Sequence, residues 1–157
     1  MGYDIVSLVP AFCEVFLGAS DVEGGLAFPD RIERELLDYS LDSLHAVDRY
    51  LDLLHSRVDD LPDQQYANTI LATGSYLGEV IRRNAPVEYR WVNYADYFPQ
   101  HPQLMSMVPE GVGSGAVLVA VNGMMTMPLN KIARYIHEGP ENNTHFYATA
   151  EVRPRTR

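Results

Sequence analysis

Within residues 63 to 83, Ala67, Leu71, Gly74 and Gly78 recur at spacings of three and four, which puts them on one stripe of an α-helix. Two glycines inside a helix cost roughly 1 kcal/mol each against alanine, so something must offset them. A stripe without side chains does so by letting another backbone approach closely. Tyr66, Ile70, Leu77 and Ile81 cover the neighbouring core-facing stripe. Gly-x-x-x-Gly spacing also joins helices in membranes, but Glu79, Arg82 and Arg83 make this segment too polar to span. The pattern predicts a central helix packed tightly within its own molecule.

The flanking sequence supplies the partners. Leu41, Leu44, Val47, Leu51 and Leu54 predict an amphipathic helix, with Ser40 placed to cap it and Pro62 beyond its end. Asn84 and Pro86 stop the glycine-striped helix, and Val87 to Tyr94 alternates as a strand does, with Val87, Tyr89 and Trp91 on one face. Ala116 to Val121 is a continuous apolar run. Asn122-Gly123 then permits a type I′ hairpin, with Met124 to Met127 as the returning strand. Pro128 opens a helix that Gly139 closes, and His145 to Val152 reads as a last, edge strand. This order predicts an α+β fold: N-terminal helices packed on a mainly antiparallel sheet, with one further helix between C-terminal strands. At 157 residues the chain is expected to form a single domain, residues 1 to 157.

Charge is divided unevenly along the chain. Residues 1 to 63 carry fourteen Asp and Glu against four Arg, a net charge of −10, while residues 64 to 157 carry seven against eight, a net charge of +1. Such a field repels nucleic acid and anionic lipid and steers basic surfaces into encounter. Ile5 to Leu17 is largely apolar, yet Asp4, Pro10 and Glu14 interrupt it and no Lys or Arg precedes it, so neither a signal peptide nor a membrane span is expected. One cysteine, Cys13, excludes an intramolecular disulfide and any multi-cysteine metal site. Cytoplasmic residence follows as the expectation.

No catalytic signature stands out, and no cofactor or metal is expected. Gly111, Gly113 and Gly115 lack the Lys-Ser or Lys-Thr of a phosphate loop. His45 and His55 are ten residues apart, not one turn, and His101, His137 and His145 show no ligand spacing. Ser75 lies mid-helix rather than in a nucleophile elbow. Glu79 is the one carboxylate that invites a chemical role, but Arg83 four residues on explains it as a helix-surface pair. Arg153, Arg155 and Arg157 read as a frayed basic terminus, not as a nucleic-acid contact.

The string Tyr76-Leu77-Gly78-Glu79-Val80-Ile81-Arg82-Arg83, followed by Trp91, a Pro128-led helix ending in Gly139-Pro140, and Phe146-Tyr147, resembles a class of small bacterial domains. Some members of that class are assigned as immunity proteins of toxin systems. The resemblance implies a protein that neutralises a basic toxin domain by occlusion. On that reading Asp48, Asp52, Asp59, Asp60 and Asp63 are the steering and pairing charges, and Tyr50 and Tyr94 the anchors, for a basic protein partner. The competing reading is a small enzyme or ligand-binding domain with a pocket between the 63–83 helix and the sheet, lined by Tyr89, Trp91 and Glu79.

Overall fold

The computed structural model describes residues 4 to 153. Among them are seven α-helices: α1 (Val9–Leu17), α2 (Leu44–Ser56), α3 (Asp63–Asn84), α4 (Tyr94–Tyr97), α5 (Pro102–Met107), α6 (Pro128–Glu138) and α7 (Thr144–Val152). Three strands, β1 (Tyr89–Asn93), β2 (Ala116–Ala120) and β3 (Met125–Thr126), form one antiparallel sheet in the order β1-β2-β3. The molecule is therefore α+β, with helices packed on a small antiparallel sheet. No helix is long and apolar enough to cross a membrane among these residues. Arg155 and Arg157 of the basic terminus lie outside the described residues.

The glycine stripe does what its spacing predicts. A Cβ on Gly74 would stand 3.0 Å from the backbone Cα of Leu129 and overlap that residue's side chain, so α6 lies directly against α3. A Cβ on Gly78 would overlap the Trp91 ring, which lets β1 close on the same helix. With α1 and α7 also packed on it, α3 is the axis of the core, and Ile70, Leu77, Val80 and Ile81 are fully buried.

β2 is apolar on both faces because both are covered. Ala116, Leu118 and Ala120 face the main core with Tyr89, while Val117 and Val119 face a second cluster built on Tyr94 and Phe98 from the α4 region. Register pairs Trp91 with Leu118 and Arg90 with Val119. The Asn122-Gly123 turn forms, though not as type I′. Asn122 keeps a negative φ, Gly123 alone is left-handed at +92°, and Gly123 N–H donates to Ala120 O at 2.8 Å. Ala120 N–H also donates to Met124 O at 2.7 Å, which makes a three-residue loop with a glycine bulge.

The principal departure from expectation is at the end of the chain. Residues 145 to 152, read above as an edge strand, fold as helix α7, so the Pro128-led helix follows the sheet instead of standing between strands. Asp48 on α2 explains why. Its Oδ1 accepts from Thr144 N–H at 2.7 Å and from the Thr144 hydroxyl at 2.6 Å, and its Oδ2 accepts from His145 N–H at 3.2 Å. Asn143 Oδ1 accepts from Phe146 N–H at 2.8 Å. Three first-turn N–H groups, orphaned in any helix, are thereby satisfied, and two of them by a residue 96 and 97 positions away.

Candidate functional site

Where α1, α3 and β1 meet, the side chains leave a cleft of about 520 Å³. Val6, Val9 and Pro10 form its apolar side, Cys13 its floor, and Tyr39, Trp91, two carboxylates, Glu14 and Glu79, and three arginines, Arg82, Arg83 and Arg90, the remainder. Each wall is held for a local reason. Pro10 sits in the first turn of α1, where its missing N–H costs nothing. Asn93 at the end of β1 accepts from Ile5 N–H at 2.8 Å and Val6 N–H at 3.0 Å, which fixes the N-terminal turn against the strand.

Glu79 is the electrostatic centre of the cleft. Its side chain is only 12% exposed, and both its oxygens accept from Arg82 Nη1 at 3.0 Å. Oε2 also accepts from the Trp91 indole N–H at 2.8 Å, and Arg83 stands at 3.9 Å. The expected pair with Arg83 is thus the weaker of two, and the carboxylate's main work is to orient Trp91 over Gly78. Arg82 in turn donates to Tyr89 O at 3.1 Å.

Tyr39 is the residue that sequence reasoning passed over. Its backbone is left-handed at φ +66°, an arrangement that a bulky side chain holds only where its surroundings impose it. Three contacts impose it here. Tyr39 N–H donates to Tyr76 Oη at 3.0 Å, its carbonyl accepts from Asn84 Nδ2 at 2.9 Å, and its ring lies stacked on Tyr76 at 4.9 Å. The Arg83 guanidinium covers the ring at 3.6 Å. Burial pushes the Cys13 thiol up to about 12, with the Glu79 charge adding to the effect, so Cys13 is a neutral thiol and not a nucleophile at neutral pH. Burial, reinforced by Cys13, pushes the Tyr39 phenol up to about 12 as well.

Arg90 differs from the other two arginines. It is exposed and makes no hydrogen bond or ion pair among the described residues. It also borders a second hollow of about 710 Å³ that shares Val6 and Trp91 with the first. A cleft with an apolar wall and an uncommitted guanidinium among its lining residues can hold an anion attached to an apolar body. Tyr89 does not line this cleft: its hydroxyl turns to Glu151 at 3.0 Å.

Of the residues assigned above to a protein partner, three are unavailable to one. Tyr50 is 1% exposed and donates to Ala27 O at 2.5 Å; Tyr94 is 5% exposed, stacks on Phe98 and donates to Val108 O at 2.6 Å. Both are core residues, because a phenol buries its ring readily once its hydroxyl finds a carbonyl. Asp48 is buried and committed to α7; burial raises its carboxyl above the usual range, against the opposing hydrogen bonds from Thr144 and His145. The remaining four, Asp52, Asp59, Asp60 and Asp63, are exposed along the end of α2, the turn Val58–Asp60 and the start of α3, and Asp52 accepts from the Tyr135 hydroxyl at 2.5 Å. The histidines dismissed above on spacing also need correction, since helix α7 carries His145 to within stacking distance of His45.

No protein-family model matches this chain, and comparison with curated proteins and with solved structures finds no match to either.

Proposed function

We propose that this chain is a binding domain for a small anionic ligand with an apolar body, seated in the cleft between α1, α3 and β1. The observation that carries the reading is the free guanidinium of Arg90 beside Trp91 at the mouth of a chamber of about 520 Å³, in a protein whose net charge is −9. An anion is repelled by most of this surface, so a site that accepts one must gather cations locally, and here Arg82, Arg83 and Arg90 outnumber Glu14 and Glu79, with Arg90 the unpaired one. Glu79 then acts as a positioning residue, fixing Trp91 and Arg82 before any ligand arrives. With a neutral thiol on the floor and a carboxylate already paired, binding is favoured over catalysis.

Trp91 is the chain's single tryptophan and reports on the cleft directly. Titration with 2-naphthoate and with octanoate is expected to change its fluorescence saturably, and Arg90→Ala to weaken that binding about tenfold, the scale of one charge-assisted hydrogen bond. If neither probe perturbs Trp91, or if Arg90→Ala binds equally well, the cleft is not an anion site.

A second reading retains the basic protein partner, and with it the immunity role. What favours it is that, among the described residues, the only carboxylate of residues 4 to 63 in an ion pair is Glu33, whose partner Arg49 belongs to the same stretch, so no described arginine or lysine of the C-terminal half pairs with the acidic segment. Asp59, Asp60 and Asp63 would supply the steering. Replacing all three with Asn is expected to slow association with a basic partner encoded at the same locus about tenfold at low salt, and to matter little at high salt. An association rate unchanged by the triple variant would remove this reading.

A further inference from the structure

Away from the cleft, where the starts of α2 and α7 meet, three metal-ligating side chains converge. Asp42 precedes α2, His45 lies in its first turn and His145 in the first turn of α7. Their ligand atoms all lie within 4.8 Å of one another. The two imidazoles are stacked, with centroids 4.0 Å apart and planes 24° from parallel. None of the three side chains makes a hydrogen bond or ion pair among the described residues, so their lone pairs are uncommitted. The other three histidines differ: His55 Nδ1 is paired with Ile136 O, His137 Nε2 with the Tyr66 hydroxyl, and His101 lies against Tyr97.

We propose that Asp42, His45 and His145 form a binding site for one divalent transition-metal ion of the zinc class. Two imidazoles and a carboxylate are a ligand set suited to such ions, and three protein ligands leave positions for water or a bound group. Ligands around a tetrahedral zinc stand about 3.3 Å apart, given metal–ligand bonds of about 2.0–2.1 Å, so small rotamer changes close the set. His145 is placed by the Asp48 carboxylate that holds its N–H at 3.2 Å, and Asp48 belongs to the same helix as His45, so two of the three ligands share one rigid junction. Occupied, the site would fasten α7 to α2 across 100 residues of sequence.

The test uses the untagged full-length chain, stripped with a chelator and titrated with Zn²⁺ in competition with a chromophoric chelator. Saturable binding of about one equivalent is expected, weakened at least tenfold by His45→Ala or His145→Ala and less by Asp42→Asn, while His101→Ala binds as the parent does. Zn²⁺ should also raise the melting temperature of the parent and not that of His145→Ala. Circular dichroism of each variant separates loss of the site from loss of the fold. Binding that is absent, that persists unchanged in both histidine variants, or that disappears only with His101→Ala would overturn the proposal.

Discussion

Helices α3 and α7 are built by opposite routes. The residues of α3 are locally consistent with a helix, carrying an apolar stripe, a glycine stripe and a proline-marked boundary at each end, and tertiary packing then exploits what was already encoded. α7, in contrast, reads Thr-His-Phe-Tyr-Ala-Thr-Ala-Glu-Val, rich in β-branched and aromatic residues, and becomes a helix because Asp48 and Asn143 cap its first turn. Local propensity spans only a few tenths of a kcal/mol per residue, whereas a charged cap contributes about 1–2 kcal/mol in one place. Over nine residues the propensity deficit sums to a few kcal/mol, so the Asp48 and Asn143 caps together offset much of it and the packing of α7 on α2 and α3 supplies the rest.

That contrast can be broken from either side. The largest effect is expected from Gly74→Val, which sets branched carbon against the Leu129 backbone and separates α6 from α3; a loss of about 3 kcal/mol or failure to fold should appear in urea unfolding. Asp48→Ala is expected to cost about 2 kcal/mol, but selectively. Amide hydrogen exchange should accelerate through α7 while α3 remains protected, and equal acceleration in both would refute a local capping role. Tyr76→Phe removes the hydroxyl that accepts from Tyr39 N–H and meets Ser43 Oγ at 2.7 Å; about 1 kcal/mol of lost stability, with weaker ligand binding in the cleft, is anticipated from chemical denaturation and Trp91 titration.

The smallest effect is on pH dependence at the α1–α3 contact. Because the folded Cys13 thiol is pushed from 9.0 up to about 12, its contribution is intact below pH 9 and is lost as pH rises toward 12. Native protein should accordingly resist iodoacetamide at pH 8 and become reactive when unfolded in urea. Rapid alkylation of the native chain would contradict a buried, neutral thiol.

Much of the scaffold was legible because it rests on short-range pattern. The 63–83 helix, the Pro128-to-Gly139 helix, the Trp91 strand and the Asn122-Gly123 turn follow from periodicity and from residues whose backbone freedom is distinctive. The hairpin's type was misread because Asn122 is able to take a left-handed conformation but is not obliged to, and the bulge lets Gly123 alone bear it. Glu79 was noticed, but its stronger partners, Arg82 and Trp91, emerge only when β1 folds back on α3. Tyr39 carried no signal at all: a left-handed tyrosine is dictated by Tyr76, Asn84 and Arg83 around it.

The sequence by itself determined the glycine-striped helix, its apolar neighbours, the α+β class and a strong imbalance of charge, since each depends on residues a few positions apart. Only the tertiary structure decided that Tyr50 and Tyr94 face the core, that Asp48 is a cap and not a surface charge, and that His45 and His145 meet. These outcomes depend on which distant groups arrive to satisfy a buried oxygen or N–H, and the cost of leaving such a group unpaired is a property of the packed interior, which no stretch of the chain carries alone.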